Sequence, residues 1–147
     1  MGNIMDDLLS NLKKVLADSY ALYLKTQNYH WNVTGSTFVM LHELFEEQYS
    51  DLAGAIDNIA ERIRQLGNKI PATFTYFNSV KSIGDGREDF RAEQMVTDLA
   101  KDQQHMIDLL NTCMKNAQEK KDEVTLSLLI DRVKVHQKNM WILKSIA

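Results

Sequence analysis

Apolar and polar residues recur along this chain with a period of three to four, the spacing that gives a helix one buried stripe. Ile4, Leu8, Leu12, Val15, Leu16, Tyr20 and Tyr23 form the first such run, with Lys13, Lys14 and Asp18 between them. Asn3 is placed to cap it, Asp6 and Asp7 suit the positive end of its dipole, and the pattern predicts a helix to about Val33. Thr34, Gly35 and Ser36 interrupt the period. Ser36 or Thr37 can then cap a second helix that runs to Leu66 and stops at Gly67. So short a turn makes the two helices antiparallel neighbours. From Asn68 to Glu88 the period lapses, and a stretch of about twenty residues is long for a structureless loop. A short helix is expected inside it, capped by Thr73 or Thr75, with Phe74, Phe77 and Val80 turned to the bundle or to another subunit. The third helix is predicted from about Arg87 to Gln118 on Phe90, Val96, Leu99, Met106, Leu110 and Cys113. The fourth starts near Asp122 and uses Val124, Leu128, Leu129, Val133, Met140 and Leu143, with Trp141 and Ile146 behind them.

Composition supports helices throughout. Of 147 residues six are Gly and one is Pro, while 44% are apolar, so long stretches contain no helix breaker. The length predicts one domain over residues 1–147 with a sizeable core. Four helices and one long crossover amount to an all-α, ferritin-like four-helix bundle, with a short helix in the crossover between the second and third helices. The lone Cys113 cannot pair within the chain and falls on an apolar helix face, which suits a reducing compartment. Without a leader-like start or an apolar run of 18 residues, a cytoplasmic protein is expected and no membrane partner. The net charge of −3 and the lack of a basic run at either end offer nothing to nucleic acid.

The candidate chemistry lies between Tyr29 and Gly67. His30 and His42 are followed by Glu43, Glu46, Glu47, Asp51, Asp57 and Glu61, ligand types for iron, zinc or manganese. Along one helix His42 and Glu46 are a turn apart on one face, and so are Asp57 and Glu61. Yet His42 lies roughly 22 Å along the axis from Asp57. Either the two pairs do separate jobs, or each chain carries two half-sites that a second, antiparallel copy completes. A di-iron site inside one bundle would need Glu-x-x-His twice; the nearest approach is Asp102-Gln-Gln-His105, once. His105 and His136 therefore read as helix-surface or interface histidines. On the second helix His42, Glu46, Tyr49, Ser50, Ala53, Asp57 and Glu61 share a stripe distinct from the core stripe of Leu41, Phe45, Leu52, Ile56, Ile59 and Ile63. Gly54 costs about 1 kcal/mol there relative to Ala, and close approach of another helix would explain it. A crossing of this helix with its own symmetry mate near Asp51 or Leu52 brings His42 and Glu46 of one chain toward Asp57 and Glu61 of the other.

The residues His30-Trp31-Asn32-Val33 with Gly35, Phe38, Leu41-His42 with Phe45-Glu46, Asp57-Asn58-Ile59-Ala60-Glu61-Arg62 and Leu66-Gly67 resemble the Dps family, the miniferritins named as DNA-binding proteins from starved cells. The resemblance spans essentially the whole chain. It implies iron bound by His30 and His42 of one subunit opposite Asp57 and Glu61 of its partner. Where the family commonly has Asp this chain has Glu46, a ligand with a longer arm. Trp31 resembles the family's tryptophan beside the site, a scavenger of oxidising equivalents. The resemblance further implies a ferroxidase in a hollow dodecamer built from two-fold dimers, storing ferric mineral and using Fe(II) and hydrogen peroxide as substrates, with a role against oxidative stress. Hard carboxylates with imidazoles also admit zinc as an occupant without turnover.

Taken singly, each residue has a plainer reading: a hydrogen-bonded histidine, a solvated carboxylate pair, a core tryptophan. Their order and spacing together favour the ferroxidase. Two alternatives belong to other classes. A DNA-compacting protein is disfavoured, since twelve copies at −3 carry roughly −36 and the segment before the first helix has no lysine. A structural shell without turnover would not need the ligand set. By the same resemblance Asp122, Glu123 and Asp131 are candidates to line acidic pores for iron.

Overall fold

The computed structural model describes residues 3–146, so Met1, Gly2 and Ala147 of the expected 1–147 domain lie outside the described residues. Five helices follow in order: α1 (Ile4–Asn32), α2 (Phe38–Gln65), α3 (Phe74–Val80), α4 (Ala92–Lys120) and α5 (Glu123–Ile146). This is the all-α bundle of four long helices with a short fifth in the crossover. Asn3 caps α1 as expected: its side chain accepts from the Asp6 N–H, and the Asp6 carboxylate accepts from the Asn3 N–H. Thr37 occupies the cap position of α2 but makes no side-chain cap bond. The end of α2 is a Schellman motif, with Gly67 N–H on the Arg64 carbonyl and Asn68 N–H on that of Ile63. Of the two threonines, Thr73 caps α3 by accepting from the Tyr76 N–H.

One boundary and one apolar face differ from the sequence reading. Helix α4 begins at Ala92 rather than near Arg87, because Gln94 Oε1 accepts the Arg91 N–H and closes the helix start there. Without Gly or Pro to mark the place, Glu88 and Asp89 were equally good starts. Within α3, Phe77 is buried but Phe74 is 82% exposed, so only part of its apolar face meets the bundle.

Helix α1 runs antiparallel to both α2 and α4, and polar contacts fix the α1/α4 pair at both ends. Asn11 Nδ2 donates to Asn116 Oδ1, and Tyr29 Oη donates to Asp98 Oδ2. Lys25, buried, lies 3.0 Å from Asp98 and 2.8 Å from Asp102; removing one partner of such a pair costs about 3–5 kcal/mol. The crossover returns over α1. Asp18, also buried, accepts from Ser82 N, Ile83 N and Ser82 Oγ, and lies 3.1 Å from His105 Nε2. Gly86 presses so close to α1 that a Cβ there would meet Lys25 and Tyr29 side-chain carbons at 3.1 Å.

The buried line of α5 is Thr125, Leu129, Arg132, His136 and Leu143, whereas Val124 is exposed. Of the expected apolar stripe Leu129 and Leu143 are buried and Leu128 and Val133 pack against the core, so only Val124 is corrected, together with the surface reading of His136. The reason is local pairing. Arg132 Nη2, which can only donate, meets His136 Nε2 at 3.2 Å, so Nδ1 carries the proton and donates to Gln103 Oε1 at 2.7 Å. Arg132 Nη1 also reaches Asp51 Oδ2 at 2.9 Å, tying α5 to α2. His105 fits its expectation in part, being a partly exposed tether for the crossover.

Burial first, then the Arg132 charge, pushes the His136 imidazole down to about 3 from 6.5. The folded state therefore takes up no proton there while the unfolded state does below about 6.5, so stability falls as pH falls toward 3. The contribution is about 1.4 kcal/mol per pH unit. His136→Gln, which keeps a donor and an acceptor, should flatten this part of the acid limb. Urea midpoints from pH 7 to 4 for the two proteins check it; parallel curves would refute it.

Candidate metal centre

Only five residues link α1 to α2, and Gly35, at a φ of +104°, lets the chain reverse within them. The last turn of α1 thus lies against the first turns of α2. His30 and His42 meet there, their rings parallel within 11° and 3.8 Å apart. Each imidazole Nδ1 faces the other residue's backbone carbonyl, His30 Nδ1 to His42 O at 2.6 Å and His42 Nδ1 to His30 O at 2.7 Å. A carbonyl can only accept, so both Nδ1 atoms carry hydrogen. The His30 carbonyl is one of the last four of α1, which have no partner within the helix. Both Nε2 lone pairs are left free of hydrogen bonds among the described residues. This is how metal-binding histidines are commonly held, with the second nitrogen donating to a carbonyl. Phe38 stacks on His42 at 5.0 Å and Tyr49 sets its edge against His30 at 5.2 Å. Helical spacing placed Tyr49 on this face without assigning it a contact.

The remaining candidates lie apart from the histidines. Glu46, Asp57 and Glu61 are all exposed on α2, together with Ser50, Ala53 and Gly54. Glu61 is held above the usual carboxylate range, first by the hydrogen bond it shares with Asp57 and then by that neighbour's charge. Two neighbouring carboxylates a helical turn apart offer oxygens that a divalent cation can take. No three His, Cys, Asp or Glu side chains converge on one point among the described residues of the single chain. The chain thus brings together His30 with His42, and Asp57 with Glu61, but not the two pairs. A Cβ on Gly54 would meet nothing within 4 Å, so nothing inside the chain calls for this glycine.

Trp31 is 63% exposed and lines a groove of ≈ 660 Å³ between α1 and the crossover, together with Tyr20, Leu24, Phe74 and Phe77. Among the pore candidates, Asp122 is engaged within the chain: its carboxylate caps α5 at Thr125 N and lies 3.2 Å from Arg62 Nη2. Charge and hydrogen bonding there hold it below the usual carboxylate range despite partial burial. Glu123 and Asp131 are exposed.

Residues 9–147 match the family described as the ferritin-like domain. The chain is 39% identical over 134 residues to the DNA protection during starvation protein 2 of Bacillus anthracis, covering 91% of this chain and 92% of the relative. A Dps protein of Bacillus brevis superposes with a TM-score of 0.95 at 31% identity, over 99% of both chains. The Dps protein of Vibrio cholerae O1, described as belonging to a broad superfamily of ferritin-like diiron-carboxylate proteins, superposes at 0.92 with 28% identity, over 97% of this chain and 89% of that one.

Replacing Asp57 by Asn removes the carboxylate whose hydrogen bond and charge raise Glu61. Glu61 should then titrate lower, in the ordinary carboxylate range, with the fold unchanged. Carbon-detected NMR titration of the Glu61 carboxyl reads this directly; an unmoved midpoint would show that Asp57 is not the cause.

Proposed function

Because the chain belongs to the ferritin-like family, in its Dps branch, we propose that it is a ferroxidase and iron-storage protein whose sites form between subunits. The observation that carries the reading is the reciprocal His30–His42 arrangement, which leaves two Nε2 lone pairs free on a rigid support. His30, His42 and Glu46 of one subunit would face Asp57 and Glu61 of its two-fold partner. The roughly 22 Å along α2 between the half-sites, and the open face at Ser50, Ala53 and Gly54 between them, suit a crossing of two α2 helices. Each dimer then has two equivalent sites.

Imidazole nitrogen with carboxylate oxygen suits Fe(II) and leaves positions for an oxidant. Iron is here a substrate. Two ferrous ions give up one electron each to hydrogen peroxide; with water, the products are ferric oxyhydroxide and protons. Peroxide and ferrous iron are removed together, which is the chemistry of protection against oxidative stress. Zinc, bound by the same donors, would block turnover. The mineral would be held in a hollow dodecamer of two-fold dimers, each subunit one domain over residues 1–147, in the cytoplasm. Glu123 and Asp131 are the better candidates for iron inlets, since Asp122 has partners within its own chain. Trp31, beside His30 in sequence, would intercept stray oxidising equivalents at the groove.

DNA compaction is the lesser reading. The curated relatives include proteins named for DNA protection during starvation, but a charge of −3 per chain disfavours phosphate contact. No retardation of linear DNA is expected at physiological salt, and a clear shift there would reverse the order of the two readings.

Subunit complementation tests the shared site. His42→Ala and the double change Asp57→Ala with Glu61→Ala should each abolish rapid peroxide-dependent Fe(II) oxidation. Co-expressed, the two variants form mixed dimers that hold one intact site and one doubly disabled site, so part of the rate should return. Stopped-flow ferric absorbance measures it. No recovery in mixed assemblies of native mass would exclude a site shared in this way.

A further inference from the structure

We propose that Tyr49, Tyr23 and Tyr20 form a relay that carries oxidising equivalents from the histidine pair to the groove between α1 and α3. The proposal rests on the ferroxidase reading, which supplies the oxidant: peroxide reduced by ferrous iron beside His30. The rings follow one another without a gap. Tyr49 meets His30 at 5.2 Å, Tyr23 meets Tyr49 at 5.8 Å, Tyr20 meets Tyr23 at 6.1 Å, and Tyr20 stacks on Phe77 at 5.1 Å. Each separation lies within the contact range of aromatic pairs. The chain of rings crosses from α2 to α1 and ends in the groove that also receives Trp31.

Packing alone does not account for these phenols. Elsewhere the bundle interior is filled by Leu12, Leu16 and Leu22 from α1 and by Leu41, Phe45 and Leu52 from α2. Phenylalanine would give the same ring contacts. The hydroxyls of Tyr20, Tyr23 and Tyr49 make no hydrogen bond among the described residues, whereas Tyr29 donates to Asp98 and accepts from the Arg87 N–H. Tyr29, the tyrosine nearest His30 in sequence, is thus committed to the α1/α4 contact. Tyr49 is the one whose ring touches the histidine pair and whose oxygen has no structural duty.

The relay matters when only one ferrous ion is present. That ion gives peroxide one electron, which breaks the O–O bond and leaves a ferric ion, hydroxide and one hydroxyl-radical equivalent. Tyr49 supplies an electron and its phenolic proton, so water forms and the tyrosine becomes a neutral phenoxyl radical. Tyr23 passes an electron and a proton to Tyr49, and Tyr20 to Tyr23, each acceptor being restored as its donor is oxidised. A second ferrous ion returns the electron and solvent the proton, which restores the last tyrosine. The sum is one peroxide reduced by two ferrous ions, with no radical released.

Rapid-freeze EPR tests this on the assembled full-length protein, given substoichiometric Fe(II) and then peroxide, with ferric absorbance followed in the same samples. Wild type should show a tyrosyl radical, and Tyr49→Phe, which keeps the ring, should lose most of it at unchanged native mass. In Tyr23→Phe the radical should persist, while peptide mass spectrometry finds hydroxylated tyrosine at Tyr49 instead of Tyr20. Normal iron oxidation with no radical in wild type, or with full signal in Tyr49→Phe, overturns the relay alone. If peroxide oxidises no iron on the protein, the ferroxidase reading fails and takes the relay with it.

Discussion

Val33 to Thr37 are all that separates α1 from α2, and a link that short leaves the two helix ends no choice but to touch. The unpaired carbonyl of His30 then lies beside the His42 imidazole, and the His42 carbonyl beside that of His30. A helix end always has acceptors to satisfy. Here the donors come from the two residues whose other nitrogens are left free. The same contact therefore closes the turn, fixes both tautomers and leaves two Nε2 lone pairs free of hydrogen bonds among the described residues. It also fixes the α1/α2 register that sets Tyr23 against Tyr49.

Polar groups inside the subunit are held for structure. Asp18 pins the crossover, Lys25 bridges Asp98 and Asp102, and Arg132 joins His136 to Asp51. Each is costly to bury unpaired, and each has partners that fix a neighbouring element. The chemistry-bearing groups outside the turn are instead exposed along α2, where the hydrogen bond to Asp57 and then its charge hold Glu61 above the usual carboxylate range. Among the described residues no three His, Cys, Asp or Glu side chains converge inside the bundle. The open α2 face is where the proposed two-fold contact would form.

The legibility of the sequence varied with the kind of signal. Asn3, Thr73 and Gly67 were readable as helix punctuation because capping is local, settled within four residues. The start of α4 was not, since Glu88, Asp89 and Arg91 compete and only the Gln94 side chain decides among them. On α5 apolarity picks out Leu128, Leu129, Val133 and Leu143 rightly but also Val124, which is exposed, and passes over His136, whose burial depends on Gln103 more than thirty positions away. Ligand candidates were easier: an imidazole or carboxylate announces its type, and helical spacing announces its face.

By itself the sequence determined the helices, their order, the short link that makes α1 and α2 antiparallel, and the separation of His42 from Asp57 and Glu61 along one rigid helix. These depend on periodicity, on a glycine where a positive φ is needed, and on a fixed rise per residue, all of which are local. Only the tertiary structure decided which polar residues would be buried, that His30 and His42 would hold each other's carbonyls, that Trp31 would face the groove, and that Tyr49 would touch His30. Those outcomes turn on contacts between segments distant in sequence, where a side chain's role is set by the partner it meets.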